Sequence, residues 1–170
     1  MKHWMALIGL VTVAACTPQA RTVHLNAFIG DIQPSADFIC PITVDVSGIS
    51  ISEVYITKTP FLTQADVQRV YWTVDGRGQP ALGMDFTDAG AALMRAATST
   101  NISRLLVLKL DGDVVCAPFI AGMIAKKGLL SFNSDDHERV DAFAVSMGSE
   151  PYAKSSHAAV QRRFEAQQRQ

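Results

Sequence analysis

Beyond its first sixteen residues, the sequence has no apolar run long enough to cross a bilayer and no block of charge of one sign. The formal net charge is −1, and proteins that bind nucleic acid usually present a basic face. The sequence lacks HExxH, a glycine-rich phosphate loop and GxSxG. These are the common local motifs of hydrolases and nucleotide-binding enzymes. The sequence therefore favours a protein that is not an enzyme, needs no cofactor and does not bind nucleic acid.

The densest polar cluster is Asp135-Asp136-His137-Glu138. Successive side chains on a helix point about 100° apart, so these four do not converge on one metal ion. We interpret the cluster as the acidic start of a helix and predict no metal site. A hydrolase whose site is assembled from distant residues stays open as an alternative.

The N-terminus predicts the compartment. Lys2 and His3 precede an apolar run of twelve residues, Trp4–Ala15, which is too short to span a bilayer and is typical of a signal peptide. The run ends in Val13-Ala14-Ala15-Cys16, which resembles a bacterial lipobox. We therefore predict that residues 1–15 are removed and that acylated Cys16 anchors the protein in the lipid bilayer. An ordinary secretory signal with an incidental Cys16 is the alternative.

This anchor predicts a place in the envelope of a Gram-negative bacterium, facing the periplasm. Thr17 follows the lipidated cysteine where an aspartate would favour inner-membrane retention, so the outer membrane is preferred over the inner. Of the three cysteines, Cys40 and Cys116 then remain as a pair in an oxidising compartment. They predict either a Cys40–Cys116 disulfide or two buried free thiols.

The pattern along the rest of the chain predicts one domain, residues 22–148, between a lipidated tether at 16–21 and a polar tail at 149–170. Most segments up to residue 86 have strand character, and Thr63 suggests the N-cap of a short helix, Gln64–Val70. A last helix is expected from about Asp135 to Met147, ending at Gly148.

The stretch Asp85–Phe132 has the clearest local pattern. Thr87 is a candidate N-cap for a helix over Ala89–Ala97. The apolar run Arg104–Leu110 and the return Asp113–Ala117 flank Asp111-Gly112, a strong hairpin sequence because both turn positions favour positive φ.

With these motifs in view, Ser52–Met147 resembles the periplasmic P1 region of the SecD protein-export subunit, above all its head subdomain. The resemblance rests on short motifs in the same order: Thr59-Pro60-Phe61-Leu62-Thr63, Asp75-Gly76-Arg77-Gly78-Gln79-Pro80, Phe86-Thr87 with Gly90-Ala91, Leu110-Asp111-Gly112 and Ala117-Pro118. It does not cover 22–51. Four departures are that Ser103-Arg104 replaces the family's Gly-Lys, that Cys116 replaces a serine, that the glycine-rich segment near the end is reduced to Gly128, and that SecD's transmembrane helices are missing.

The resemblance implies an α+β fold, with a mainly antiparallel sheet and two principal helices packed on one face. It also implies a module that engages exported polypeptide without a proton-driven motor. We expect the sheet edge or the loop Phe119–Lys127 to hold a polypeptide or protein partner, with Phe119, Met123, Lys126 and Lys127 as the contact residues. An immunity or inhibitor lipoprotein against an envelope-acting toxin is the alternative function.

Overall fold

The computed structural model describes residues 22–46, 49–132, 136–152 and 162, with only the backbone described at 44–46 and 49–52. The predicted signal peptide, Cys16 and the tether lie outside the described residues. The strands are β1 (Leu25–Asp31), β2 (Phe38–Val46), β3 (Ile49–Thr57), β4 (Leu62–Thr63), β5 (Val67–Val74), β6 (Pro80–Phe86), β7 (Leu105–Leu110), β8 (Asp113–Cys116) and β9 (Lys127–Ser131). The helices are α1 (Asp88–Thr100) and α2 (His137–Ser146).

Six strands form the larger sheet, in the order β2-β3-β1-β7-β8, with β4 as a second neighbour of β1. All the pairings are antiparallel, and β1 pairs with β7 from Leu25↔Leu110 to Gly30↔Leu105. The two edge strands, β2 and β8, come close to each other. The larger sheet is therefore curled rather than flat.

The smaller sheet has the order β5-β6-β9 and is also antiparallel. Trp72 and Tyr71 are neighbours on β5 and so point to opposite faces. Trp72 packs against the main hydrophobic core, whereas Tyr71 lies across the strand from Gly83 on the outer face.

The local predictions around α1 and the hairpin are confirmed. The backbone N–H of Gly90 donates to Thr87 Oγ1 at 3.0 Å, so Thr87 is the N-cap, and α1 runs three residues beyond the predicted Ala97. Asp111 and Gly112 have φ of 51° and 93°, as the turn between β7 and β8 requires.

The predicted helix Gln64–Val70 is wrong beyond its first turn. Only Gln64–Asp66 is helical, as a single 3-10 turn, and β5 begins at Val67. Thr63 does cap this turn, since its backbone N–H and its hydroxyl both donate to Asp66 Oδ2. Pairing with β6 then draws the β-branched and aromatic residues from Val67 onward into a strand.

The main core lies between one face of the larger sheet, the inner face of the smaller sheet and the two helices. Helix α2 contributes its fully buried residues Val140, Phe143 and Ala144. A second, smaller cluster lies on the other face of the larger sheet and includes Val54 and Val107, both 0% exposed. The curl of that sheet accounts for their burial.

The chain after α2 continues to pack on the domain. Gly148, with φ of 82°, ends the helix as predicted. The indole N–H of Trp72 donates to the carbonyl of Glu150 at 3.1 Å, and the rings of Trp72 and Tyr152 lie 4.6 Å apart. The packed part of the chain thus extends to Tyr152, beyond the predicted start of the tail at 149.

The expected fold class is confirmed: the chain is α+β, with mainly antiparallel strands and two helices. The strands form two sheets rather than one. None of the helices in the described part of the chain is long and apolar enough to cross a membrane.

Candidate partner-binding surface

The loop between β8 and β9 is fastened to the larger sheet by backbone hydrogen bonds. Pro118 has no N–H to donate, but its carbonyl accepts from Leu106 N at 2.9 Å. Ile120 continues the pairing, donating to Arg104 O at 2.8 Å and accepting from Ser103 N at 2.9 Å. Ile120 is buried, whereas Phe119 beside it is 57% exposed. Phe119 is therefore held outward by a fixed backbone.

The second half of the loop is fastened to α1 through Thr98, the buried polar residue of that helix. Its hydroxyl donates to Met94 O and accepts from Ile124 N, each at 2.8 Å. Met123, just before this contact, is 58% exposed. The loop ends where Lys126 O accepts from Phe86 N at 3.0 Å.

Exposed apolar side chains gather on this loop and on the turn next to it. Ile102 is 49% exposed and lies one residue before Ser103, which the loop binds. We call Ile102, Phe119 and Met123 the apolar loop surface. Large apolar side chains exposed on a fixed backbone are typical of an interaction site.

The predicted contact residues thus divide into an apolar pair and two lysines. Phe119 and Met123 belong to the apolar loop surface. Lys126 Nζ lies 3.9 Å from Asp88 Oδ1, and both side chains are largely exposed, so this ion pair adds little stability. Lys127 is exposed at the start of β9.

Of the two alternatives for Cys40 and Cys116, the structure has free thiols and no disulfide. Cys40 packs with the smaller cluster and Cys116 with the main core, so the two lie on opposite faces of the larger sheet. Burial, followed by the Asp136 carboxylate, raises the pKa of the Cys116 thiol to about 12. This environment keeps the thiol protonated and unreactive at neutral pH.

The acidic cluster does not form a metal site in the described part of the chain. His137 stacks on Trp72, with ring centroids 5.8 Å apart, and Phe132 and Tyr152 meet its ring edge-on. Asp136 accepts from Arg139 Nη1 at 3.1 Å. Asp135 lies outside the described residues. Among those described, no three His, Cys, Asp or Glu side chains are grouped to hold a metal ion.

One cleft, of about 530 Å³, lies between β2, the β7–β8 hairpin and α2. Its central cation, Arg139, is already paired with Asp113 at 3.0 Å and with Asp136. The described lining includes no serine, cysteine or histidine, and both of its carboxylates are partners of Arg139.

A second cleft, of about 540 Å³, lies beside the start of β1 and contains His24 and Gln64. The Thr63 hydroxyl in its wall donates to Asp66 Oδ2 at 3.0 Å.

Sequence reasoning missed Ile102 and Leu129, which is 53% exposed on β9. Nothing in the segment Lys127-Gly128-Leu129-Leu130 shows which of the two leucines the fold covers. Thr98 was also missed, because no local sequence pattern shows that a threonine inside a helix binds a distant loop.

Comparison with known proteins identifies the family. Residues 43–149 match the model of the SecDF P1 head subdomain, which covers more than half of the chain. The chain is 33% identical over 97 residues to the protein translocase subunit SecD of Aquifex aeolicus (strain VF5), covering 56% of this chain and 19% of that protein. It is 33% identical over 72 residues to SecD of Anaeromyxobacter dehalogenans (strain 2CP-C), covering 42% and 12%.

A solved structure of SecDF, described as a membrane component that enhances protein export, has the same fold. It aligns with a TM-score of 0.55 at 19% identity, over 77% of this chain and 64% of that one. The chain belongs to the SecDF P1 head subdomain family. It spans only about a fifth or less of the length of the two SecD relatives.

Proposed function

We propose that this chain is a non-catalytic, lipid-anchored module that faces the periplasm and binds extended polypeptide as an accessory to protein export. The observation that carries the proposal is the apolar loop surface, where Ile102, Phe119 and Met123 are 49%, 57% and 58% exposed on a hydrogen-bonded backbone. Family membership supports it, because the SecD relatives are translocase subunits.

The fastened loop suits binding to segments of many sequences. Its backbone is already ordered, so little conformational entropy is lost on association. Met123 is unbranched and adapts to differently shaped apolar partners, and Phe119 supplies a rigid, large apolar area. A client that exposes apolar side chains before it folds would bury them here.

The test is photocrosslinking in intact cells, with a photoreactive residue at Phe119 or Met123. We expect both positions to capture several exported polypeptides, whereas the same residue at exposed Glu138 on α2 captures few. Capture of a single folded toxin would favour the immunity alternative. Equal capture at Glu138 would refute the apolar loop surface as the binding site.

Affinity gives a second, quantitative readout. The double variant Phe119→Ser, Met123→Ser should weaken binding of a reduced, carboxymethylated unfolded protein about tenfold or more, since two exposed apolar anchors are lost. Val145→Ser is the matched control, because Val145 is 37% exposed on α2. It should leave affinity unchanged.

The anchor is tested separately. We expect the cells to incorporate labelled palmitate into the chain at Cys16 and to retain the protein in the membrane fraction. Cys16→Ser should lose the label and release the protein. An unlabelled wild-type chain would refute the lipid anchor while leaving the binding surface intact.

A further inference from the structure

Strand β9 is the most regular edge strand in the described part of the fold. It pairs with β6 from Asp85↔Lys127 to Ala81↔Ser131 without a register shift. No described segment pairs with its other edge. A strand edge of this kind carries unpaired backbone groups that can hydrogen-bond to another chain.

The register shows which groups face outward. Phe86 N donates to Lys126 O, so Gly128 and Leu130, at two-residue intervals, also point their amide groups toward β6. The N–H and C=O groups of Lys127, Leu129 and Ser131 therefore point to the free edge. These same three residues are exposed.

The other edge strands carry features that block pairing. Strand β2 contains Pro41 and two register shifts. Strand β8 is four residues long, has a register shift in its pairing with β7, and is soon followed by Pro118. Strand β5 has a shift between Val67 and Arg69. Prolines, bulges and short length are the usual protection of sheet edges, and β9 has only its terminal Lys127.

The outer face next to this edge is partly apolar. The ring of Tyr71 lies directly over Gly83, so closely that a Cβ on Gly83 would be 2.4 Å from Tyr71 Cε2. Leu129 pairs with Gly83 from the other side and is 53% exposed. A strand added beside β9 would place alternate side chains next to Leu129.

We propose that the free edge of β9 binds an extended segment of polypeptide, which adds to the smaller sheet as a fourth strand. This inference rests on the proposed function and gives its mode of recognition. Backbone hydrogen bonds to Lys127, Leu129 and Ser131 do not depend on the sequence of the client. The fastened loop leads directly into β9, so one extended client can contact the apolar loop surface and then this edge.

The size of the edge argues against a second copy as the occupant. Stable protein–protein interfaces bury about 1,200–2,000 Å² in total, and pairing of one five-residue strand with its copy covers far less. A short edge suits a client that must be released. The cations Lys126 and Lys127 at the start of β9 favour a neutral or acidic segment there.

Leu129→Pro is the decisive variant. The backbone N–H that this change removes points away from β6, so the pairing of β9 with β6 keeps its hydrogen bonds. Edge strands tolerate proline at such positions. We expect circular dichroism to show a folded protein whose Kd for a fluorescein-labelled unfolded polypeptide rises about tenfold, because edge hydrogen bonds are lost and the ring blocks the strand. Leu129→Thr keeps the N–H and the strand propensity and should bind within about threefold of wild type.

The outcomes separate the two proposals. If wild-type protein binds no unfolded polypeptide, the proposed function fails. If wild type and Leu129→Pro bind the unfolded polypeptide equally, the proposed function stands and only strand addition at β9 is refuted. A concentration-dependent dimer in sedimentation that Leu129→Pro abolishes would make the occupant a second copy and overturn the inference. If Leu129→Pro does not fold, hydrogen exchange of the wild-type backbone amides with and without client tests the proposal instead. The client must protect the N–H groups of Lys127, Leu129 and Ser131, and unchanged exchange there would refute strand addition.

Discussion

Ser103 occupies the left-handed region of backbone space, with φ of 68°. A Cβ makes this conformation costly by about 1–2 kcal/mol, and glycine avoids the cost. The family's usual glycine at this position therefore has a physical reason. The hydrogen bond from Ser103 N to Ile120 O does not need the side chain.

Ser103→Gly should raise the free energy of unfolding by about 1 kcal/mol, because it relieves the left-handed strain. Urea unfolding followed by circular dichroism measures this. Ser99→Gly is the control: Ser99 is exposed within α1, where glycine should lower the free energy of unfolding by about 0.5 kcal/mol. Destabilisation by both changes would contradict the account of Ser103.

The buried thiol of Cys116 leads to a prediction about how stability depends on pH. Burial raises the pKa of its thiol to about 12, whereas an unfolded cysteine ionises near pH ~8.5. The unfolded state thus loses its proton first, so this residue lowers stability as the pH rises above about 8.5. At pH 8, iodoacetamide should modify Cys116 only after unfolding.

Mass spectrometry of native and urea-unfolded protein, both without reductant, checks this prediction. The unfolded sample should carry the label on Cys40 and Cys116, since both are free thiols. Labelling of native Cys116 at the unfolded rate would show that the thiol is accessible and ionised.

The absent disulfide shows why residue-level pairing could not be predicted from spacing. A register shift between Phe38 and Cys40 interrupts the alternation of β2. Phe38 therefore faces the main core and Cys40 faces the smaller cluster. Without that bulge, the two would point the same way. Pro41, next to Cys40, indicates an edge strand or an irregularity, but it does not show between which residues the alternation shifts.

At the scale of elements, α1 depends on a close approach of two backbones. A Cβ on Gly90 would lie 2.2 Å from the carbonyl oxygen of Asp66. That oxygen also accepts from Thr87 N at 2.9 Å, so it cannot move without disturbing the start of the helix. Glycine is needed here for space rather than for conformation.

Gly90→Ala should therefore lower the free energy of unfolding by about 3 kcal/mol, although the same change in an open helix would stabilise it by about 1 kcal/mol. Thermal and urea unfolding measure the difference. Gly76→Ala is the matched control, because nothing lies within 4 Å of a Cβ at Gly76 and its stability should stay within about 0.5 kcal/mol of wild type. A stabilised Gly90→Ala protein would refute the close approach between Gly90 and the Asp66 carbonyl.

Elements determined by short-range rules could be predicted, and those determined by pairing could not. Thr87 and Asp111-Gly112 act through their own neighbours, so α1 and the β7–β8 hairpin follow from the sequence. Gln64–Val70 has a real cap in Thr63, but β6 is the partner that makes a strand from Val67. The apolar loop surface depends on which side chains the rest of the fold leaves uncovered.

For the whole molecule, the segment after α2 joins parts that are distant in the sequence. Trp72 on β5, His137 on α2 and Tyr152 form one aromatic cluster. Tyr152 N also donates to Asp141 Oδ1 at 2.6 Å. The cluster therefore links the smaller sheet to the helix that closes the main core.

A chain that ends after Tyr152 should be more stable than one that ends after Gly148, by about 2 kcal/mol, because the second lacks the Trp72–Glu150 hydrogen bond and the Tyr152 ring contacts. Urea unfolding compares the two. Tryptophan fluorescence of the shorter chain should shift to the red, since Trp72 becomes hydrated. Equal stability would show that the segment only rests on the surface.

The direction of β1 has a mechanical consequence. The strand begins at Leu25, three residues after Thr22, and near its other end Gly30 pairs with Leu105, which in turn bridges to Phe119. Tension applied between Thr22 and the loop would act along β1, across a row of hydrogen bonds perpendicular to it. These bonds would be sheared together rather than opened one at a time, so such tension would not unravel the sheet from its N-terminal end.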